Sequence, residues 1–404
     1  MVNGHETADT PGERNRRAVL RQILLSGPIA RIEIAARVGL TASAVTRIAQ
    51  ALNEAGLVRE MTERGDDAPV KPGRRTSPLE IDPQGGQVLG IGIGPSYQTV
   101  TLADIGNNVI AATELELGTI EDPDLVTRSV ARESRRLIGR HLKDRSRLLG
   151  GLLMISASVD PERGSVADAP YLGWGAFPLR ARLSELLDLP VRVQSMTAAV
   201  ATAELLFGAA RDRSHVLALL CELGVGAAII MDGRLIGGGR PPAGGLGAMK
   251  VTAEDGAVTT LDHAASGLAV VRRLQDGGTA SGPATIAAMA LALRDAVERD
   301  RAGDYAVAPL MVAAGREMGR VIVPFFRFAM PEAVLVAGPL AMSPSYMGGI
   351  AEVVDGDTQS GPVEVMASIV SAPVTDWSAS CAMAVWEYLI ETPLARTRLS
   401  VGRA

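Results

Sequence analysis

Four side chains near the start of the chain could form hydrogen bonds with nucleic acid. They are Ser43, Thr46, Arg47 and Gln50, which three- and four-residue steps place on one face of a helix. Their hydroxyl, guanidinium and amide groups are short or rich in donors, which suits close approach to base edges and phosphates in a major groove. This spacing predicts a surface that contacts duplex DNA.

The surrounding residues 31–57, RIEIAARVGLTASAVTRIAQALNEAGL, predict the elements that position these donors. A short apolar helix ends at Gly39, a residue that readily adopts the left-handed conformation at a helix terminus. Thr41 can cap a second helix through its side-chain oxygen. The inward face of that helix recurs at 3.6-residue spacing and holds Ala44, Val45, Ile48, Ala49 and Leu52. The pattern predicts a helix-turn-helix, although two short helices joined at a glycine also occur in unrelated proteins.

The flanking segments favour the DNA-binding interpretation. Residues 15–26 predict a preceding helix, and residues 57–59 and 79–81 predict the two strands of a hairpin, which together make a winged helix. Basic residues of the hairpin loop and linker could reach phosphates or a minor groove. The predicted DNA contacts are Arg31, Thr41, Ser43, Ala44, Thr46, Arg47 and Gln50 in the helices, and Arg64, Lys71, Arg74 and Arg75 in the wing and linker.

The charge distribution points the same way. Residues 1–78 hold 12 Lys/Arg and 9 Asp/Glu, a net charge of +3. Because the whole chain carries a net charge of −5, residues 79–404 carry −8. A basic head on an acidic body is expected when only the head meets nucleic acid. Aromatic residues make up 3% of the chain, which disfavours single-strand binding by base stacking.

The length and composition of the chain exclude several classes of protein. A chain of 404 residues suggests two or three domains, and no apolar run is long enough to predict a membrane span. The polar start of the chain lacks a signal-peptide core, so we expect a flexible tail over residues 1–13 and a cytoplasmic protein. Cys221 and Cys381 are too few for a disulfide framework or a cysteine-rich zinc site.

After a Pro/Gly/Arg-rich stretch over 69–78, strands and helices alternate in two successive halves. We therefore expect an α/β fold whose winged helix-turn-helix and linker span residues 14–82. A body over residues 83–404 would form two lobes, roughly 83–205 and 206–404, with a ligand cleft between them.

Several body segments together resemble the ROK family, which combines sugar kinases with sugar-responsive repressors. The segments are LGIGIGPSYQTVTLAD at 89–104, YLGWGAFPLRARLSELLDLPVRV at 171–193, and ELGVGAAIIMDGRLIGGGRPPAGGLGAMKV at 222–251. The first and third resemble the family's two phosphate loops. A winged helix followed by Gly73-Arg74-Arg75 resembles its repressor branch. The resemblance implies an actin-like, ribonuclease-H-like ATPase fold, known from sugar kinases, in the body.

Departures from the kinase pattern are equally informative. Gly92 stands where the kinases carry the Asp that serves the metal–nucleotide, and Ser195 and Met196 replace the Asn-Asp pair that holds the general base. A thioether cannot accept the sugar hydroxyl proton. Gly245 and Ala248 replace a Glu and a His that reach the sugar. The resemblance therefore implies a body without kinase activity and a chain that is not an enzyme.

The zinc site of the family is also missing from the sequence. Residues 256–266, GAVTTLDHAAS, lack its cysteine cluster, and the lone His263 is not a zinc site because such sites need about four ligands. Asp262 stands where the family places a further sugar-binding Glu. We expect no metal and no cofactor.

The cleft could bind a different ligand or none. Trp174 could stack on a sugar face or belong to the core, and Gly224 and Gly226 could cradle phosphates or form a tight hairpin kept for the fold, which we favour. The candidate ligand residues are Ser158, Tyr171, Trp174, Gln194, Ser195, Met196, Gly245 and Asp262.

Three functions remain open from the sequence. The first is a transcriptional regulator, expected to repress genes for carbohydrate uptake or catabolism. It would bind a pseudo-palindromic operator in duplex DNA as a homodimer or a higher homo-oligomer, and it would sense a carbohydrate in its cleft. The second is a regulator whose body is only a scaffold for dimerisation and protein interaction. The third, an active sugar kinase with an accessory DNA head, is disfavoured by Met196.

Overall fold

The computed structural model describes residues 10–61, 77–95, 97–117, 119–236, 245–254, 256–276, 285–357, 363–367 and 377–392. Most of the predicted N-terminal tail lies outside these residues. So do four predicted DNA contacts of the wing and linker, namely Arg64, Lys71, Arg74 and Arg75.

The N-terminal head contains three helices and a two-stranded hairpin. The first helix begins at Pro11, earlier than the predicted residue 15, because Thr10 and Glu13 form a reciprocal capping box at its start. Residues 10–13 therefore belong to this helix or its cap and not to a flexible tail. The elements are α1 (Pro11–Ser26), α2 (Arg31–Val38), α3 (Ala42–Glu54), β1 (Val58–Glu60) and β2 (Leu79–Ile81).

Local capping sets the helix-turn-helix geometry, as the sequence predicted. Gly39 ends α2 with a left-handed φ of 67°, a conformation that costs glycine little. Thr41 caps α3 by accepting a hydrogen bond from the Ala44 amide over 3.2 Å. In the hairpin, Val58 pairs with Ile81 and Arg59 with Glu80 in antiparallel register. The head is thus a winged helix-turn-helix.

The first lobe is built on a five-stranded sheet with the order β5-β4-β3-β6-β9. Strands β3, β6 and β9 run parallel and β4 and β5 are antiparallel to their neighbours. A small hairpin, β7–β8, was not predicted. The elements are β3 (Gln87–Ile93), β4 (Gln98–Asp104), β5 (Val109–Glu114), α4 (Pro123–His141), β6 (Leu148–Ile155), β7 (Ser158–Asp160), β8 (Ser165–Asp168), α5 (Leu179–Leu187) and β9 (Val191–Ser195).

The second lobe has its own five-stranded sheet, in the order β12-β11-β10-β15-β16. Helix α6 leads into this sheet from the first lobe. The elements are α6 (Met196–Phe207), β10 (Val216–Cys221), β11 (Val225–Met231), β12 (Arg234–Leu235), β13 (Lys250–Thr252), β14 (Val258–Thr260), α7 (Leu261–Ala265), α8 (Gly267–Asp276), α9 (Ile286–Arg301), α10 (Ala308–Ala329), β15 (Ala333–Ala337), α11 (Pro344–Gly356) and β16 (Glu364–Ala367).

The chain then returns to the first lobe, which corrects the predicted assignment of all of 206–404 to the second lobe. Helix α12 (Trp377–Trp386) packs across β3, β4 and β6 and is followed by a π-helical turn over Glu387–Glu391. The approach is close because Gly90 of β3 has no side chain: an added Cβ would lie 2.3 Å from the Ser380 hydroxyl oxygen.

Head and body share one buried apolar cluster. It joins Leu20 of the head to Leu149 of the first sheet, Met196 of α6 and Leu389 beyond α12. Burial of a continuous apolar cluster favours a fixed position of the head on the body. No helix in the described parts of the chain is long and apolar enough to cross a membrane.

Candidate DNA interface and interlobe cleft

The predicted DNA-contacting face of α3 is exposed. Ser43, Thr46, Arg47 and Gln50 are all open to solvent, while Val45, Ala49 and Leu52 are buried beneath them. The inward and outward faces therefore divide as the 3.6-residue spacing predicted.

The donors on this face differ in how they are held. The Thr46 hydroxyl donates to the Ala42 carbonyl over 2.8 Å, and the Gln50 amide donates to Glu54 over 3.0 Å. The hydroxyls of Thr41 and Ser43 lie 3.1 Å apart. Arg47 forms no hydrogen bond or ion pair with the residues that the structure describes. Its guanidinium is the group on this face with its donors open for bases or phosphates.

Arg31, another predicted DNA contact, is engaged within the head. One guanidinium nitrogen donates to the Ser77 carbonyl over 3.0 Å, and the other forms an ion pair with Glu60. This side chain ties the start of α2 to β1 and to the residues that precede β2. The Arg31 side chain is 21% exposed.

A tyrosine and a carboxylate meet across the two lobes of the body. The Tyr171 hydroxyl of the first lobe donates to Asp262 of the second over 2.5 Å. The other oxygen of Asp262 accepts from the Val225 amide over 2.8 Å. Burial raises the pKa of the Asp262 carboxyl, opposed by these two hydrogen bonds, and burial also raises the pKa of the Tyr171 hydroxyl.

A second carboxylate, which the sequence analysis did not select, lies deeper between the lobes. Glu222 is 6% exposed and accepts a hydrogen bond from the Ser156 hydroxyl over 2.8 Å. The Tyr97 hydroxyl lies 3.4 Å from the other Glu222 oxygen and 3.6 Å from the Met196 sulfur. Burial raises the pKa of Glu222, opposed by both hydroxyl donors. Its position inside an otherwise apolar run was the one signal available in the sequence.

Three glycines of the two segments that resemble phosphate loops are covered by the protein itself. A Cβ at Gly224 would lie 2.2 Å from the Tyr171 ring, and one at Gly226 would lie 2.2 Å from the Thr197 hydroxyl oxygen. A Cβ at Gly92 would lie 2.7 Å from the Thr99 hydroxyl oxygen. These glycines allow close packing between segments, which favours the interpretation that the fold retains Gly224 and Gly226.

Trp174 belongs to the core and does not line the cleft. It is 2% exposed, and its indole N–H donates to the Ile120 carbonyl over 2.6 Å. Its ring meets Phe177 edge to face, with centroids 6.0 Å apart. The candidate role of Trp174 in stacking on a ligand is therefore wrong, because the apolar ring is already buried.

The remaining candidates lie in several places. Ser195 caps α6 by accepting from the Ala198 amide over 3.4 Å, and Met196 is buried at the start of the same helix. Gln194 precedes them at the end of β9, partly buried. Gly245 is exposed, two residues from Gly247, whose added Cβ would lie 1.9 Å from Asp262.

The structure also places Ser158, a candidate ligand residue, and His263, the lone histidine that was not expected to form a zinc site. The Ser158 hydroxyl, in β7, is buried without a hydrogen-bond partner among the described residues. His263 is exposed and its Nδ1 lies 2.7 Å from the Thr260 hydroxyl. Across the described ranges, no group of three or more His, Cys, Asp or Glu side chains is arranged to hold a metal ion.

Comparison with known proteins identifies both parts of the chain. A model described as "ROK family" matches residues 88–387, and a model described as "Winged helix-turn-helix DNA-binding" matches residues 13–59. The chain is 29% identical over 337 residues to a transcriptional regulator of Mycobacterium tuberculosis, covering 80% of this chain and 73% of that one. It is 24% identical over 341 residues to the DNA-binding transcriptional dual regulator NagC of Escherichia coli, covering 82% of each.

Solved structures with the same fold include a regulator and a kinase. A ROK family transcriptional regulator, described as a homolog of the E. coli MLC protein, matches with a TM-score of 0.73 and 23% identity, covering 97% of this chain and 99% of that one. A ROK family glucokinase from Streptomyces griseus, in complex with glucose and AMPPNP, matches with a TM-score of 0.59 and 19% identity, covering 74% and 98%. At these identities the likeness concerns the fold.

Proposed function

Because this chain belongs to the ROK family and carries a winged helix-turn-helix, we propose that it is a DNA-binding transcriptional regulator. It acts as a repressor of genes for carbohydrate uptake or catabolism. The observation that carries the proposal is the exposed face of α3, where the Arg47 guanidinium has no partner among the described residues. Relatives named as transcriptional regulators, including NagC and the repressor Mlc, support it.

The head would place α3 in the major groove, with Ser43, Thr46, Arg47 and Gln50 toward bases and phosphates. Thr41, Ala44 and Arg31 lie at or near the helix starts, where backbone N–H groups also face phosphates. Basic residues of the wing and linker would add phosphate contacts. A homodimer would match the two halves of a pseudo-palindromic operator.

The body would respond to a carbohydrate or a related neutral ligand through the cleft between the lobes. Asp262, Tyr171, Gln194 and Ser195 supply the polar groups, and a ligand that changes the lobe angle would change the spacing of the two heads. No phosphoryl transfer is proposed, because the position of the kinase base is held by Met196, a buried thioether that accepts no proton.

A second candidate is a regulator that takes no ligand. The carboxylates of Asp262 and Glu222 already accept hydrogen bonds from hydroxyls of the opposite lobe. This observation favours a body that serves as a dimerisation or protein-interaction scaffold. Thermal unfolding measured across a sugar library distinguishes the two candidates, since a specific ligand raises the unfolding temperature.

The proposal is tested by a genome-wide DNA pull-down with the purified full chain, followed by sequencing of the bound fragments. We expect a palindromic motif beside carbohydrate-uptake or catabolic genes. The matched control is Arg47→Ala, whose fold is verified by circular dichroism and which should lose the motif. Salt-sensitive, motif-free binding by the wild type would contradict the proposal of an operator-binding regulator.

A further inference from the structure

Two tyrosine–carboxylate pairs connect the lobes of the body. In each pair the tyrosine comes from the first lobe and the acid from the second: Tyr171 with Asp262 at 2.5 Å, and Tyr97 with Glu222 at 3.4 Å. Among the described residues, neither carboxylate forms an ion pair with a lysine or an arginine. Neutral hydroxyl donors therefore supply the stabilisation that a buried carboxylate requires.

We propose that these two pairs are latches that hold the lobes closed, and that their release is transmitted along α6 to the DNA-binding head. The inference deepens the proposed function, since it assigns named residues to the regulation of the same cleft. Closure and opening of two lobes about a cleft is a common form of conformational switching.

Packing around the latches supports a closed arrangement. The turn between β10 and β11 carries Glu222 and Gly224, and a Cβ at Gly224 would lie 2.2 Å from the Tyr171 ring of the first lobe. Gly226, at the start of β11, packs closely beside Thr197 of α6. The Ser156 hydroxyl of the first lobe also donates to Glu222 over 2.8 Å. Opening of the lobes must therefore break the hydrogen bonds and this packing together.

Helix α6 connects this region to the head. It begins at Met196, whose sulfur lies 3.6 Å from the Tyr97 hydroxyl, and it has 12 residues, a length of about 18 Å. One face packs on α12 and another on β10 and β11 of the second lobe. A shift of the second lobe is thus passed to α6 through direct packing.

The end of α6 leads directly to a contact with the head. Arg211, four residues beyond the helix, donates to the Leu25 carbonyl over 2.6 Å. That carbonyl belongs to the last turn of α1, where backbone acceptors lack partners within the helix and attract a cation. The guanidinium of Arg21 in α1 also lies 5.3 Å from the ring centroid of Trp386, at the end of α12. Two contacts therefore link α1 to the body, one with the segment that follows α6 and one with the last residue of α12.

The test uses the full chain with spin labels on both lobes. Cysteines introduced at the exposed positions Lys143 and Ala302 take the labels, because the native Cys221 and Cys381 are buried. Pulsed electron resonance then measures the distance between the lobes in the labelled chain and in its Tyr97→Phe/Tyr171→Phe form. Hydrogen exchange is measured on the unlabelled proteins. We expect a longer distance population in the double variant only.

Exchange should rise in the first turn of α6 and in the last turn of α1. The expected increase is about fivefold for each single Phe variant and roughly twenty-fivefold for the double variant, from the usual net strength of a hydrogen bond. The matched control is Tyr346→Phe, which removes a buried hydroxyl bonded to the Ala265 carbonyl at 3.0 Å within the second lobe. It should leave the interlobe distance unchanged.

An unchanged distance in the double variant overturns the latch. The same lengthening in Tyr346→Phe overturns it as well, because general destabilisation would then be the cause. Opening of the lobes without faster exchange in α1 overturns the transmission to the head. None of these measurements uses DNA, so a failure of the proposed function in the pull-down remains distinguishable from a failure of the latch.

Discussion

On the exposed face of α3, the Arg47 guanidinium has no partner within the described structure, whereas in the interlobe cleft Asp262 and Glu222 accept hydroxyl groups from the opposite lobe. The head presents donors on a rigid helix to an external partner. The body satisfies its buried acceptors internally, so any ligand must compete with the protein's own side chains. Removing a donor from the exposed face of α3 should therefore reduce the affinity for the external partner. Removing a group from the cleft, where the hydrogen bonds are internal, should reduce the stability of the protein.

The strongest test of this difference is substitution at the covered turn of the cleft. Gly224→Ala should lower the free energy of unfolding by about 2–3 kcal/mol, because the new Cβ would lie 2.2 Å from the Tyr171 ring. Gly245→Ala is the matched control, since a Cβ there has nothing within 4 Å. Urea unfolding of both variants measures the effect. Equal stability of the two would mean that the turn is not clamped between the lobes.

Substitution on the exposed face of the head should reduce DNA affinity and leave stability unchanged. Arg47→Ala is expected to weaken binding to the recovered operator by about 2 kcal/mol, a loss of roughly thirtyfold, with unchanged unfolding temperature. Arg31→Ala should weaken DNA binding less and lower the stability of the head by under about 1 kcal/mol, since its guanidinium is paired with Glu60. Fluorescence anisotropy and thermal unfolding give the two values. A larger DNA effect at Arg31 would reverse the assignment.

The sequence predicted the head well because its determinants are local. The Thr41 cap, the Gly39 terminus and the inward spacing of α3 all lie within a few residues of one another. The cleft depends on pairs such as Tyr97 with Glu222, which are 125 residues apart. Nothing in the spacing of either residue indicates its partner, so Glu222 was not selected as a cleft residue.

Other errors have the same physical origin. An apolar ring suits both a ligand platform and a core, so the type of Trp174 could not decide between them; its indole partner is 54 residues away. The return of α12 to the first sheet was missed because Gly90 and Ser380 meet only after the fold closes. Long-range packing, not local propensity, decides these features.

Substitution of Trp174 should have a smaller effect on stability, and it distinguishes a core residue from a ligand-binding residue of the cleft. Trp174→Phe should lower the free energy of unfolding by about 1–2 kcal/mol, because the buried Ile120 carbonyl loses its donor. A ligand that raises the unfolding temperature of the wild type should raise that of this variant equally. If the ligand raised the unfolding temperature of the wild type but not that of the variant, Trp174 would be a ligand-binding residue of the cleft.

The smallest expected effect is the pH dependence of the contribution that Glu222 makes to stability. Burial raises the pKa of Glu222 above the ordinary value of 4.5, so the folded protein binds more protons than the unfolded chain above that pH. The contribution of Glu222 to stability is therefore fully present below about pH 4.5 and is lost as pH rises through its folded pKa. Glu222→Gln removes this titration, so the stability of the wild type relative to the variant should fall as pH rises from about 4 to 8.

The control is Glu352→Gln, which removes an exposed carboxylate paired with Arg316 and is measured over the same range, so that the general effect of replacing a carboxylate by an amide is accounted for. Urea unfolding at closely spaced pH values measures both differences. A flat Glu222→Gln difference would mean that burial and hydrogen bonding cancel, whereas a difference that grows in favour of the wild type with pH would mean that this carboxyl is stabilised in its charged form. Its hydroxyl donors Ser156 and Tyr97 would then outweigh its burial, and the cleft would hold a fixed negative charge that disfavours anionic ligands.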